Sequence, residues 1–273
     1  MRKKYIEKEW QQLLKQEENF LKRNVKVKQS NWQEKIDRFV PEKLSDTLNA
    51  AFFKAFEMIF DKGTGIIEKT YQKEKKVQDY KINEYTAEVR GSRRALKAFG
   101  RKAKTSKNFN MAVSTVEGIG MGVLGMGLPD IPVFLGVLLR SIYEIAVSYG
   151  FSYDTEEEQI FILKIIETAL FHENELMQGN MDLNLWMERK NREKTSEEVD
   201  TAESDDFSIS RSEQIRHTSD ALSKELLYLK FIQGLPVVGV VGGVSDMVYQ
   251  KRISDYAVLK YKRRFLVKKK KQN

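Results

Sequence analysis

The sequence predicts an all-α fold, a helical bundle in which two glycine-rich apolar helical arms pack together. Three observations carry that reading. Apolar residues recur at helical spacing along most of the 273 residues. No stretch alternates apolar and polar residues between hairpin turns. Two segments, Gly118–Pro132 and Gly234–Asp246, interleave many glycines with Val, Leu, Ile and Met. Glycine costs a helix interior roughly 1 kcal/mol relative to alanine. Its density here marks backbones packed very closely or a surface made to meet lipid.

Residues 1–30 read as a charged N-terminal helix, and 31–270 as one helical domain. From Ser45, the residues Leu48, Phe52, Phe56 and Phe60 recur every fourth position, flanked by Ala51, Ala55 and Ile59. Pro41 stands upstream of that helix, and Gly63 and Gly65 close it. The charged stretch from Tyr71 to Lys107 reads as helix with one apolar edge. Residues 131–149 form the next helix, with Asp130 as N-cap, Pro132 in the first turn and Gly150 at the end. Thr155 and Glu158 make a capping-box signature for a mostly apolar, buried helix reaching Leu170. Residues 191–213 hold eight acidic and three basic residues without periodicity and read as a disordered loop. Ala221–Phe231 is helical again, and Ser245 or Asp246 caps a last helix carrying Ile253, Tyr256, Ala257 and Tyr261.

The net charge of +8 is uneven: removing the −5 of residues 191–213 leaves about +13 on the rest. One basic cluster, Arg90–Lys107, contains Arg93, Arg94, Lys97, Arg101 and Lys102 and no acid. Another, in the C-terminal tail, contains Arg263, Arg264, Lys268 and Lys269. Cations flanking apolar segments fit a protein facing the anionic cytoplasmic leaflet; the alternative is a solvated helix face and a solubilising tail. Gly118–Leu139 is long enough to span a bilayer, but Pro129, Asp130 and Pro132 interrupt it, and Phe231–Val244 is too short. Arms packed on each other, or dipping into the bilayer surface, fit better than a span. Absence of cysteine excludes disulfides and thiolate chemistry. A charged N-terminus without an apolar core argues against export. The expected location is the cytoplasm, peripherally on the inner face of the cell membrane. No nucleic-acid motif accompanies the basic clusters.

Gly120-Met-Gly122-Val-Leu-Gly125 matches a dinucleotide fingerprint, but Gly127-Leu-Pro129 interrupts the helix that motif needs. Small-residue packing accounts better for Gly118, Gly122 and Gly125, and for Gly239 and Gly243. A candidate polar site gathers Asp130, Arg140 and Glu144, with Glu117 and Asp246 bordering the two glycine-rich segments. Arg140 and Glu144 share a helix face at ion-pair spacing. His172 lacks the second histidine of a zincin motif and reads as a helix-end dipole partner, while His217 has no evident partner. No cofactor or metal is expected.

Gly127–Pro132, then Leu138–Gly150, an acidic turn and an Ile/Leu-rich helix resemble the central signature of the EcsC family. Gly234–Asp246, followed by Tyr249, Ala257 and Tyr261, is similar to that family's C-terminal signature. The resemblance spans Trp32–Phe265, departs at Ser245-Asp246, where many relatives carry Asn, and leaves 191–213 looking like an insertion. It implies a bacterial, mostly helical protein, of the low-GC Gram-positive type given the Lys-rich, Cys-free composition. The family name comes from an operon that also encodes an ABC exporter's ATPase and membrane subunits, and no enzymatic activity comes with it. The leading expectation is a non-enzymatic, membrane-peripheral accessory protein, partnered by anionic lipid and by ABC transporter subunits. The alternative is a hydrolase or lipid-handling enzyme built on Asp130, Arg140 and Glu144.

Overall fold

The computed structural model describes residues 3–25, 42–63, 67, 73–90, 97–99, 130–193, 209–232 and 244–271. Among them are α1 (Lys3–Val25), α2 (Glu42–Met58), α3 (Lys73–Arg90) and α4 (Asp130–Ser148). They continue with α5 (Glu156–Leu170), α6 (Glu173–Glu193), α7 (Arg211–Ile232) and α8 (Val244–Lys271). A π-helical turn, Ile59–Gly63, follows α2, and the described residues contain no strand.

The expected helices form, with shifted ends. Residues 191–193 and 211–213, read as loop, belong to α6 and α7. Helix α8 begins at Val244, so Ser245 and Asp246 lie inside its first turn, and α4 begins at Asp130 itself. Thr155 caps α5 as expected, its hydroxyl accepting from the Glu158 backbone N–H at 3.3 Å. The other half of the expected capping box is diverted, because the Glu158 carboxylate accepts from Tyr261 and Arg264 of α8. Helix α4 stops where Gly150 adopts a φ of +80°, a conformation that favours glycine. A Cβ there would overlap the Tyr80 ring of α3.

Two kinds of interface build the molecule. On one side α2, α4, α5 and α7 pack through apolar side chains, including Phe52, Ile131, Leu135, Leu138, Ile162, Ile166 and Leu222. The Ile131–Ser148 stretch of α4 is long and apolar enough to cross a membrane, yet 78% of it is buried inside the protein. It serves as a core helix. On the other side α8 lies against α1, α4, α5 and α6. Helix α1 contributes Ile6 and Leu13 to the common core, so the N-terminal helix is an integral part of the bundle. Glu117, Gly118, Gly122, Gly125, Gly239 and Gly243 lie outside the described residues, as do Arg93, Arg94, Arg101 and Lys102.

Candidate functional site

Of the predicted polar site, two members meet. Arg140 Nε donates to Glu144 Oε1 at 3.0 Å, as their spacing requires. Lys76 of α3 approaches the other Glu144 oxygen at 2.8 Å, and Glu144 is only 6% exposed. The carboxylate is thus buried between two cations and serves as an α3–α4 tie. Asp130 opens the same helix ten residues before Arg140, about 15 Å away at 1.5 Å per residue. Arg140 and Glu144 are thus engaged with each other, and Glu144 with Lys76 as well. Asp246 lies in α8 on the far side of the glycine-rich connection from α7.

The basic tail requires a larger correction. Arg263, Arg264 and Lys269, expected on a cationic surface, point into the protein. Arg263 is 7% exposed and paired with Glu17 of α1, whereas Lys269 is 2% exposed and reaches Glu84 of α3 at 2.7 Å. Arg264 Nη1 donates to both Glu158 oxygens, at 2.6 and 2.9 Å. Its guanidinium also lies 4.4 Å from the ring centroids of both Phe151 and Phe161. A guanidinium is flat and weakly hydrated, which suits it to such a slot. Among the tail residues named, Lys268 is exposed, as is Lys97 of the other cluster.

At the centre of the α1–α6–α8 junction, Lys260 is completely buried. Its ammonium donates to Glu17, to Asn180 and, at 2.8 Å, to Asn184. Asn180 also accepts from the Tyr256 hydroxyl at 3.0 Å. Burial pushes the Lys260 ammonium down to about 8, against the pull of Glu17. Burial works to raise the Glu17 carboxyl, but the charges and hydrogen bonds of Lys260 and Arg263 outweigh it and hold it below the usual carboxylate value.

A second polar group lies where α5, α7 and α8 meet. His172, 6% exposed just past the end of α5, contacts Glu225 at 2.7 Å through Nε2. The other Glu225 oxygen accepts from the Tyr249 hydroxyl. Arg252 of α8 donates to the Phe171 carbonyl, and burial lowers its pKa from the ordinary arginine value. The residue after His172, Glu173, takes a φ of +44°, a strained value for a non-glycine residue. Glu225 and Tyr249 line a cavity otherwise walled by Phe52, Ile131, Phe134, Leu170, Leu222 and Leu226. Its volume is about 20 Å³, room for one water at the roughly 10–15 Å³ each needs. A carboxylate bridging an imidazole and a phenol can relay a proton. Among the described residues no three His, Asp or Glu side chains are placed to hold a metal. Local patterning could not reveal this group, since 53 residues separate His172 from Glu225.

Some of the surface cations gather at one end of the molecule, while others, among them Lys15, Lys43, Lys54, Arg216, Lys224 and Lys251, lie elsewhere. Helices α1 and α8 run antiparallel: Phe20 stacks on Tyr256 at 5.0 Å, while Glu7 pairs with Lys270 at 3.1 Å. The start of α1 therefore meets the end of α8, bringing exposed Lys3, Lys4 and Lys8 towards exposed Lys268, Lys270 and Lys271.

The model of the EcsC protein family matches residues 6–266, nearly the whole chain. The chain belongs to the EcsC protein family. The match begins within α1, well before Trp32, in keeping with the burial of Ile6 and Leu13 in the shared core. No curated protein and no solved structure matches this EcsC chain.

Proposed function

We propose that this EcsC-family chain is a non-enzymatic, membrane-peripheral accessory protein that rests on the cytoplasmic face of an anionic bilayer. The observation that carries this reading is the lysine-rich end where α1 starts and α8 finishes. Six exposed lysines gather there, and the paired Glu7 is the acid among them that contacts Lys270. Each lysine near an anionic leaflet contributes about 1 kcal/mol, so the end supplies a few kcal/mol of reversible attachment. That attraction fades within a Debye length of about 8 Å at physiological salt. A role beside an ABC exporter or another envelope component rests on the family resemblance and is the finer part of the proposal.

Flotation of the full chain with vesicles tests the attachment. Vesicles of phosphatidylglycerol and phosphatidylcholine should carry the protein upward at low salt and release it at roughly 0.5 M salt, where screening is nearly complete. Replacing Lys3, Lys4, Lys268 and Lys271 with Glu should abolish flotation. Protein that stays at the bottom with anionic vesicles at low salt overturns the reading. Co-purification with an exporter subunit tests the finer part.

A further inference from the structure

Helix α1 packs mainly on α8 and α6, and its seam with α8 is built largely from charge. Glu17 pairs with Lys260 and Arg263, Glu9 with Lys262 at 3.1 Å, and Glu7 with Lys270 at 3.1 Å. These are three of the four acids of α1; the fourth, Glu18, faces outward and pairs with Lys22 of the same helix. The Trp10 ring lies between two of the cations, 4.2 Å from the Lys270 ammonium and 5.0 Å from the Arg263 guanidinium. The apolar row that accompanies the acids is Ile6, Leu13 and Phe20. We propose that α1 is a displaceable latch: its acidic inner face occupies a cationic face of α8 that an anionic bilayer takes over on attachment. The latch rests on the membrane attachment proposed above and adds a conformational step to it.

Three features fit α1 for release. Its departure leaves the apolar contacts among α2, α4, α5 and α7 in place. The Glu7–Lys270 pair is partly exposed and stands at the lysine-rich end, so an anionic surface reaches that pair first and opens the seam from there. Lipid phosphate accepts from lysine and arginine as a carboxylate does, so it can take the place of Glu7, then Glu9 and Glu17. Release also differs from deletion of one partner. All the charges of the seam regain water or meet phosphate together, so none is left buried and alone. Lys260 keeps Asn180 and Asn184 as acceptors when Glu17 leaves. Burial holds its ammonium below the ordinary lysine value, a cost of the closed seam that opening relieves.

The chain has no cysteine, so spin labels at Lys15→Cys on the outer face of α1 and Lys224→Cys on α7 report how far α1 stands from the bundle. Double electron–electron resonance on the labelled full chain without lipid should give one narrow distance. An excess of phosphatidylglycerol and phosphatidylcholine vesicles at low salt should broaden and lengthen it, whereas phosphatidylcholine vesicles alone should not. Glu9→Gln loosens the seam at Lys262, and Glu18→Gln removes the same charge from the outer face. Glu9→Gln should therefore tighten binding to the anionic vesicles at least about threefold more than Glu18→Gln, because more of the chain is already open. Both variants should keep the parent's helical circular dichroism. Protein that floats with the anionic vesicles yet keeps the narrow distance overturns the latch and leaves the attachment standing. Equal effects of the two glutamate variants do the same. Protein that never binds the vesicles overturns both.

Discussion

Helices α4 and α8 both run through the interior, and they do so with opposite compositions. Helix α4 is mostly apolar, carries a stretch that would pass for a membrane span, and is buried against α2, α3 and α8 largely by apolar contact, with its buried carboxylate Glu144 held by Arg140 and Lys76. Helix α8 ends in a run of lysines and arginines that would pass for a membrane-binding tail, yet Lys260, Arg263 and Lys269 are buried. The first needs, apart from the cations at Glu144, only neighbours of matching shape. The second needs a partner of opposite charge at every inward cation: Glu17 for Lys260 and Arg263, Glu158 for the partly buried Arg264, and Glu84 for Lys269, drawn from α1, α5 and α3. Hydropathy identifies the first kind of core helix and misassigns the second, because exposure follows from pairing and pairing is not written locally.

The contrast can be broken most directly at Glu17. Glu17→Ala strands Lys260 and Arg263 in the interior and should cost about 3–5 kcal/mol, read by urea unfolding. Leu138→Ala in α4 only opens a cavity and should cost about 2–5 kcal/mol, according to how far α4 collapses. A loss at Glu17 well below about 3 kcal/mol would mean that water reaches the α1–α8 junction. Replacing the whole group, Glu17→Leu with Lys260→Met and Arg263→Met, should recover most of the stability lost by Glu17→Ala, since a well-packed apolar substitute does as well as a buried ion group.

Alkaline titration gives the next effect. The Lys260 ammonium is pushed down to about 8, whereas an unfolded lysine titrates near 10.4. Between those values the unfolded chain holds a proton that the folded chain has released, so this lysine's contribution to stability rises with pH. The rise is at most about 1.4 kcal/mol per pH unit. Burial at Lys164 acts in the same direction, whereas buried Tyr256 and Tyr261, whose phenols are held above their usual value, reverse the trend above about pH 10. Lys260→Met should flatten the slope from pH 8 to 10, measured by urea midpoints, and leave Arg263 paired with Glu17. An unchanged slope would assign the effect elsewhere.

The smallest effect lies on the apolar side. Thr155→Ala removes the α5 cap and should cost about 1 kcal/mol, visible as a lower thermal midpoint with the α8 contacts kept.

Much of this architecture was legible in the sequence. The phenylalanine ladder of α2, Pro132 and Gly150 at the two ends of α4, the Thr155 cap and the Arg140–Glu144 pair all express local rules over four residues or fewer, and all appear in the structure. The polar groups did not announce themselves. Glu17, Asn180, Asn184 and Lys260 look like solvated helix residues until the tertiary fold stacks α1, α6 and α8. Likewise, His172, Glu225 and Tyr249 become a unit only when α7 and α8 fold back beside the end of α5. Glu158 illustrates the limit, since its spacing from Thr155 predicts a cap while Arg264, 106 residues later, claims its carboxylate.

The tie between Glu17 and Lys260 spans 243 residues, almost the full length of the polypeptide. During synthesis at about 5–20 residues per second, α1 leaves the ribosome roughly 12–50 s before its mate exists. Through that interval its inward carboxylates must stay hydrated and its Ile6 and Leu13 uncovered, a demand that falls on chaperones or on slow, late closure of the whole bundle. A truncation lacking the last helix would leave α1 in that nascent condition permanently, a ready target for proteolysis.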